Sequence, residues 1–184
     1  MSEYKHSSNR SDWISPPHII EAAREVMGSI DLDPASSAKA NQVVQAKEFY
    51  NERRNGLVKP WFGNVWLNPP FGKIIIGGKE RSSQDVWVQK ACKEWSIEDE
   101  YGPCVQQMTT IFNQAMSQVW FRPLLDQLLC VPYGRLSFID PDTLQPMKSN
   151  QYGSVIVYWS RDKEQAVRFK KRFKQYGAIL RRWK

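Results

Sequence analysis

The sequence predicts an α/β fold, a mostly parallel sheet with helices on both faces. Two observations carry this. Short apolar runs of strand length alternate along the chain with longer stretches whose apolar residues recur at helical spacing. The two most unusual motifs, Asp31-Leu32-Asp33-Pro34 and Asn68-Pro69-Pro70-Phe71, both stand where a predicted strand ends. Open parallel sheets bind their ligands beyond those carboxyl ends.

Taken in order, residues 1–11 are polar and predict a flexible N-terminus, leaving residues 12–184 as a single domain. Ser15-Pro16-Pro17 reads as a helix start, a capping hydroxyl followed by proline in the first turn. Ile19, Ala22, Ala23 and Val26 recur at helical spacing, and Gly28 supplies the stop. Residues 29–33 read as a short strand that breaks at Pro34, residues 37–50 as a helix and residues 53–63 as loop. A strand at 64–67 leads into the proline motif. Residues 72–83 surround an Ile74-Ile75-Ile76 island with Gly, Lys and Arg, and read as a mobile loop outside the core. Residues 86–95 form an amphipathic helical pattern, 104–111 a strand, 113–129 a helix broken near Pro123, and 130–133 a strand. Leu136-Ser137-Phe138 alternates as a strand does, and 154–158 is an apolar strand. Asp162 with Gln165 makes a capping-box pattern for a basic helix that Gly177 ends before a last strand, so 161–184 is a basic C-terminal helix and strand.

Composition narrows the class. Hydrophobic residues make up 41% of 184, enough to bury a core, and no apolar run approaches membrane-spanning length. The polar N-terminus carries no secretory signal. Cys92, Cys104 and Cys130 lack CxxC spacing, and only His6 and His18 accompany them. This pattern argues against a metal site or a disulfide framework and predicts a cytoplasmic protein.

The net charge of +7 is uneven. Residues 161–184 hold ten Lys/Arg against Asp162 and Glu164, so the tail carries +8 and the rest of the chain −1. Lys170, Lys171, Arg172 and Lys174 form its densest part. A basic terminus on a near-neutral body reads as a phosphate-binding footprint, and equally as a solvated helix face.

The proline motif has a chemical logic. The amino group of adenine is a poor nucleophile because its lone pair is delocalised into the ring. Two acceptors aimed at its hydrogens would localise that pair and favour attack on a methyl sulfonium. The Asn68 side-chain oxygen is one candidate. The Pro69 carbonyl is the other, because Pro70 behind it holds the backbone extended. Phe71 offers a ring on which a base taken out of the helix can stack. The bland alternative is a proline turn with Phe71 returning to the core. Asp31 and Asp33 can accept hydrogen bonds from ribose hydroxyls or an ammonium group, and the backbone amides of residues 35–37 can meet a carboxylate. Helix capping by Asp33 is the competing role. No GxGxxG loop is present, so a dinucleotide site is unsupported.

These residues in this order resemble the phage-type DNA N-6-adenine methyltransferase (Dam-like) family. The resemblance runs through Trp13-Ile14-Ser15-Pro16, Asp31-Leu32-Asp33-Pro34-Ala35-Ser36, Gly56-Leu57, Trp61 and Val65 to Phe71. It continues in Trp87-Val88-Gln89-Lys90-Ala91, Gly134-Arg135-Leu136-Ser137-Phe138 and the strand at 154–157. It covers residues 12–160.

The resemblance implies a Rossmann-like class I methyltransferase fold that uses S-adenosylmethionine to methylate the exocyclic amine of a flipped-out adenine in duplex DNA. Trp13, Ser15 and Pro16, with Asp31, Asp33, Pro34, Ala35 and Ser36, correspond to the cofactor side. Asn68, Pro69, Pro70 and Phe71 correspond to the catalytic motif. Arg135 lines the site or turns a strand. Lys73, Lys79 and Arg81 give residues 72–85, a longer link than the family usually has, the charge of a lid or a DNA-contacting loop. The implied setting is a bacterial or phage-infected cell, in restriction-modification or DNA marking. Two departures stand out: Phe71 replaces the usual tyrosine, and Asn55-Gly56-Leu57 replaces Asp-Gly-Leu. With little room for a separate recognition domain, the implied specificity is short or relaxed. Related motifs also serve enzymes that methylate RNA bases or protein glutamine, and an inactive nucleic-acid-binding relative is a third reading.

Overall fold

The structure, a computed structural model, describes residues 13–147 and 152–182; the flexible segment expected at residues 1–11 lies outside them. The elements in chain order are α1 (Pro17–Met27), β1 (Leu32–Asp33), α2 (Ala38–Val44), β2 (Glu48–Phe49), β3 (Gly63–Leu67), β4 (Lys73–Ile76), β5 (Lys79–Ser82) and α3 (Ser83–Trp95). Then follow β6 (Glu98–Asp99), β7 (Gly102–Pro103), β8 (Val105–Asn113), a 3-10 segment (Val119–Asp126), β9 (Leu128–Pro132), β10 (Ser154–Trp159), α4 (Lys163–Phe173) and β11 (Gly177–Leu180).

Seven strands form one sheet in the order β11-β9-β10-β8-β3-β1-β2. Strands β2, β1, β3 and β8 pair in parallel. Strand β10 runs against both β8 and β9, and β11 runs against β9. The expected mostly parallel sheet is therefore a mixed one. The cause is the connection at 133–153, which leaves β9 and enters β10 at the same edge, so no crossover is made and the strands are antiparallel.

Helices do cover both faces. Side chains alternate across strands: Trp66, Ile156 and Tyr158 join Ile20, Phe169 and Phe173 of α1 and α4 in one apolar layer. Val65, Leu67, Val155 and Val157 join Val88 of α3 and Phe121 of the 3-10 segment in the other. All six residues of β10 are buried, as a strand covered on both faces requires.

Several boundaries differ from expectation. Helix α2 stops at Val44 because Gln45 takes a left-handed conformation. The Asn41 side chain also bridges to Ala46, accepting from its N–H at 2.9 Å and donating to its carbonyl at 3.2 Å. Residues 48–49 are strand, not helix. Residues 72–83 are an ordered hairpin with a Gly77-Gly78 turn, both residues at positive φ as such two-residue turns demand. The stretch around Pro123 is 3-10 rather than α-helical, and residues 136–138 form no strand; Ile139 instead makes single bridges to Ile14 and Pro146. The capping pattern at α4 is present, shifted by one residue: Asp162 accepts from the Gln165 N–H, and the Gln165 side chain accepts from the Arg161 N–H.

Candidate active site

The carboxyl ends of β1 and β3 open onto a cleft of about 330 Å³, at the small end of the range for small-molecule sites. Most of its wall comes from four segments, residues 13–15, the β1–α2 turn at 33–37, the loop at 50–57, and Asn68 with Pro70; Ala40 and Val44 of α2 and Trp66, Ile74 and Trp87 complete it. The 50–57 loop is held from behind. Trp61 donates through Nε1 to the Gly56 carbonyl at 2.9 Å, and the Tyr50 hydroxyl donates to the Pro60 carbonyl at 3.0 Å. Gly56 lies so close to the turn that a Cβ there would stand 1.9 Å from the Pro34 carbonyl oxygen.

At the end of β3 the Asn68 amide donates from Nδ2 to the Trp13 carbonyl at 2.9 Å. That contact fixes which end of the carboxamide is which. Oδ1 is buried and has no hydrogen-bond partner among the described residues. The Pro70 carbonyl accepts from the Ser83 hydroxyl at 2.6 Å. Pro69 is buried, and Phe71 is half-buried with its ring edge-on to Phe138 at 5.6 Å.

The two expected carboxylates separate. Asp33 lines the cleft and is 3% exposed. Burial pushes its pKa up to about 7, against the N–H of Ala35, which donates to Oδ1 at 3.2 Å, and the nearby Ser36 hydroxyl, which both favour the charged form. Asp31 does not line the cleft. It accepts from the Asn64 N–H at 2.8 Å and the Ser29 hydroxyl at 3.0 Å, and pairs with Lys47 at 2.7 Å. Burial opposes its ionisation, but these three partners outweigh it and hold its pKa below the ordinary value. Its observed work is to lock β1 to β3.

Four residues that line the cleft carry a buried polar side-chain atom without a partner among the described residues: Ser15, Trp66, Asn68 and Trp87. Buried polar atoms in folded proteins are nearly always paired, so their gathering around one cleft makes it the candidate site. Ser15 makes no capping bond; the helix is capped by Pro16. Of the other expected cofactor residues, Trp13, Pro34 and Ala35 line the cleft, while Pro16 is buried behind it. Asn51 and Glu52 also line it and had no sequence signal. Trp66 and Trp87 are core residues, 0% and 5% exposed, that the cleft also reaches.

The expected cations divide likewise. Lys73 pairs with Glu80 and Arg81 with Asp85, while Lys79 is exposed at the hairpin turn. Arg172 is tied to Glu25 and donates to the Tyr176 hydroxyl at 2.9 Å. Arg168 donates to the Val26 carbonyl and Arg161 to the Val105 and Trp95 carbonyls. Those three arginines fasten the tail to the body. Lys170, Lys171 and Lys174 are exposed, and no acidic group pairs with them among the described residues. The Tyr133 N–H donates to the Tyr176 carbonyl, which puts the end of α4 and exposed Arg135 on the sheet edge that holds Asn68. No three His, Cys, Asp or Glu side chains cluster to hold a metal among the described residues, and no helix among them is long and apolar enough to cross a membrane.

The family model described as DNA N-6-adenine-methyltransferase (Dam) matches residues 2–178. A DNA N-6-adenine-methyltransferase of Escherichia phage T1 is 29% identical over 171 residues, which cover 86% of this chain. The chain spans 66% of that protein's length.

Proposed function

The chain belongs to the DNA N-6-adenine-methyltransferase family, and from that premise we propose that it moves a methyl group from S-adenosylmethionine to the exocyclic amine of adenine in DNA. The observation that carries the proposal is the Asn68 carboxamide: its donor end is used up on the Trp13 carbonyl, and its acceptor end is left buried and unpartnered at the cleft. A phage relative named for the same activity supports it.

The cleft residues fit the cofactor. Three unpartnered donors (the Ser15 hydroxyl and the Trp66 and Trp87 ring N–H groups) and the Asp33 carboxylate suit a ligand that combines ribose hydroxyls, ring nitrogens and an amino-acid end. Asp33 would accept from the ribose hydroxyls or the ammonium group. Bound, the cofactor supplies an electrophilic methyl group on a positively charged sulfur. Parallel strands around β1 and β3, helices on both faces and a site at the carboxyl ends support a Rossmann-like class I reading of the sheet.

The chain's own part is positional and electrostatic. An adenine turned out of the stack would place its amine against Asn68 Oδ1 and the Pro69 carbonyl, with its ring against Phe71. Acceptors fixed before the substrate arrives cost no reorganisation as charge develops on the amine. Holding the amine in line with the methyl group converts an encounter into an intramolecular event. The exposed lysines of α4 would take the phosphates.

The test is incubation with methyl-labelled cofactor and DNA, RNA or protein, followed by mass spectrometry of the labelled residue. Label on N6 of adenine in DNA is expected. Label confined to RNA or to glutamine, or cofactor binding with no transfer to any of the three, overturns the reading.

A further inference from the structure

We propose that the β4–β5 hairpin is a wedge that enters duplex DNA beside the target and occupies the space an extruded adenine leaves. The proposal rests on the adenine-methylating reading above and adds the element that opens the duplex.

The hairpin is anchored at its root to the catalytic motif. The Ser83 N–H donates to the Gly72 carbonyl at 3.0 Å, and its hydroxyl donates to the Pro70 carbonyl at 2.6 Å. Where Asn68–Phe71 holds a base, the hairpin must therefore stand at a fixed place beside it. Four strand residues at about 3.4 Å each carry the tip about 13 Å from the root. The grooves of B-DNA are about 7.5–8.5 Å deep, so the tip reaches the base stack of the duplex that gives up the base.

The chemistry of the tip suits that place. Ile75 is 75% exposed and Ile76 is 41% exposed, flanking the tight Gly77-Gly78 turn. Ile75 and Ile76 stand on opposite faces of the ribbon, and Ile74, on the face of Ile76, lines the cleft. Adjacent apolar side chains exposed on a two-stranded ribbon are unfavourable in water, and nothing among the described residues buries Ile75. Isoleucine is among the side chains that unstack base steps. The charges agree. Lys73 and Arg81 are neutralised by Glu80 and Asp85 near the root. Lys79, at the turn, has no acidic partner among the described residues and is placed to meet a phosphate flanking the opened step. A nonpolar tip with an unneutralised cation beside it is complementary to a base stack rimmed by phosphates.

The experiment uses a duplex carrying a site that the wild-type protein methylates, once with thymine opposite the target adenine and once with an abasic position there. Extrusion is easiest where the base is unpaired, so a wedge matters least in the second duplex. Ile75→Ala/Ile76→Ala is expected to lower kcat/KM on the paired duplex about tenfold or more, equivalent to about 1.4 kcal/mol, while sparing the abasic duplex and the KM for cofactor. Ile75→Leu, which keeps an apolar tip, is expected to retain activity on both. Equal losses on the two duplexes, a raised KM for cofactor, or no loss on either would overturn the wedge alone; the first two would make the hairpin a lid over the cleft. A wild-type protein that methylates no DNA sinks the underlying reading and the wedge with it.

Discussion

Replacing Asp33 with asparagine tests the cleft's electrostatics without any assay of catalysis. Burial raises this carboxyl from 3.8 to about 7. Its folded pKa exceeds its unfolded one, so the folded state holds the proton more tightly. Stability is therefore fully present below about pH 4, declines as pH rises from there towards 7, and levels off above 7. Three units at 1.36 kcal/mol each put the penalty on the order of 4 kcal/mol at pH 8. The substituted carboxamide would keep an oxygen for the Ala35 N–H and carry no charge. Denaturant unfolding of wild type and Asp33→Asn without ligand, at pH 4.5, 6 and 8, should show the variant gaining on wild type across the series, with most of the gain in place by pH 7. Calorimetry at pH 8 should show the same substitution weakening S-adenosylmethionine binding, because a charged acceptor is gone. Stability differences independent of pH would refute the assignment of a buried, near-neutral carboxyl.

Other outcomes follow from the same geometry. Asn68→Ala should lower kcat by a factor on the order of 10²–10³, as loss of a single preorganised group does elsewhere, with cofactor binding preserved by calorimetry. Asn68→Asp puts two acceptors face to face at the Trp13 carbonyl and should cost about 1–3 kcal/mol of stability, measured at pH 8 where the carboxylate is charged. Lys170→Ala/Lys171→Ala/Lys174→Ala should weaken DNA binding and flatten its salt dependence by about 0.9 in log–log slope for each phosphate that is no longer neutralised; an unchanged slope would make this a solvated helix face. The triple change is cleaner than deleting 161–184, which would strip β11 from the sheet and Phe169 and Phe173 from the core. Gly56→Ala should destabilise the domain and lower cofactor affinity, because its methyl group would collide with the Pro34 carbonyl; unchanged thermal unfolding and affinity would contradict that packing.

What was legible in the sequence was local. Apolar spacing located α1, α3, β3 and β10, because a core on both sides of the sheet imposes its period on the residues that fill it. Strand direction was not legible. Nothing in the pattern 154–158 encodes that β10 starts at the edge where β9 ends. The early end of α2 depends on side-chain bonds from Asn41 that compete with the helix, in a stretch otherwise fit to continue it. The hairpin did carry a readable signal, Gly-Gly between two four-residue runs, masked by their charge. Asn68 to Phe71 stood out because each residue type has a separate chemical reason to be there, and the structure puts Asn68 and Pro70 on the cleft. Asp31 and Asp33 could not be told apart, since both are carboxylates at one strand end; burial of one and the Lys47, Ser29 and Asn64 contacts of the other separate them only in space.

The partner of Asn68 is a main-chain oxygen, and this has a consequence for variation in the protein. No side-chain replacement at position 13 can take that oxygen away, so the orientation of the Asn68 carboxamide is insulated from mutation at its own partner. It is exposed instead to whatever displaces the backbone there. Ile14 exchanges two hydrogen bonds with Ile139, at 3.0 and 2.8 Å, and Ile139 is bridged in turn to Pro146. Insertions or deletions in the 139–146 loop, far along the chain from Asn68, are therefore changes by which this amide can be turned.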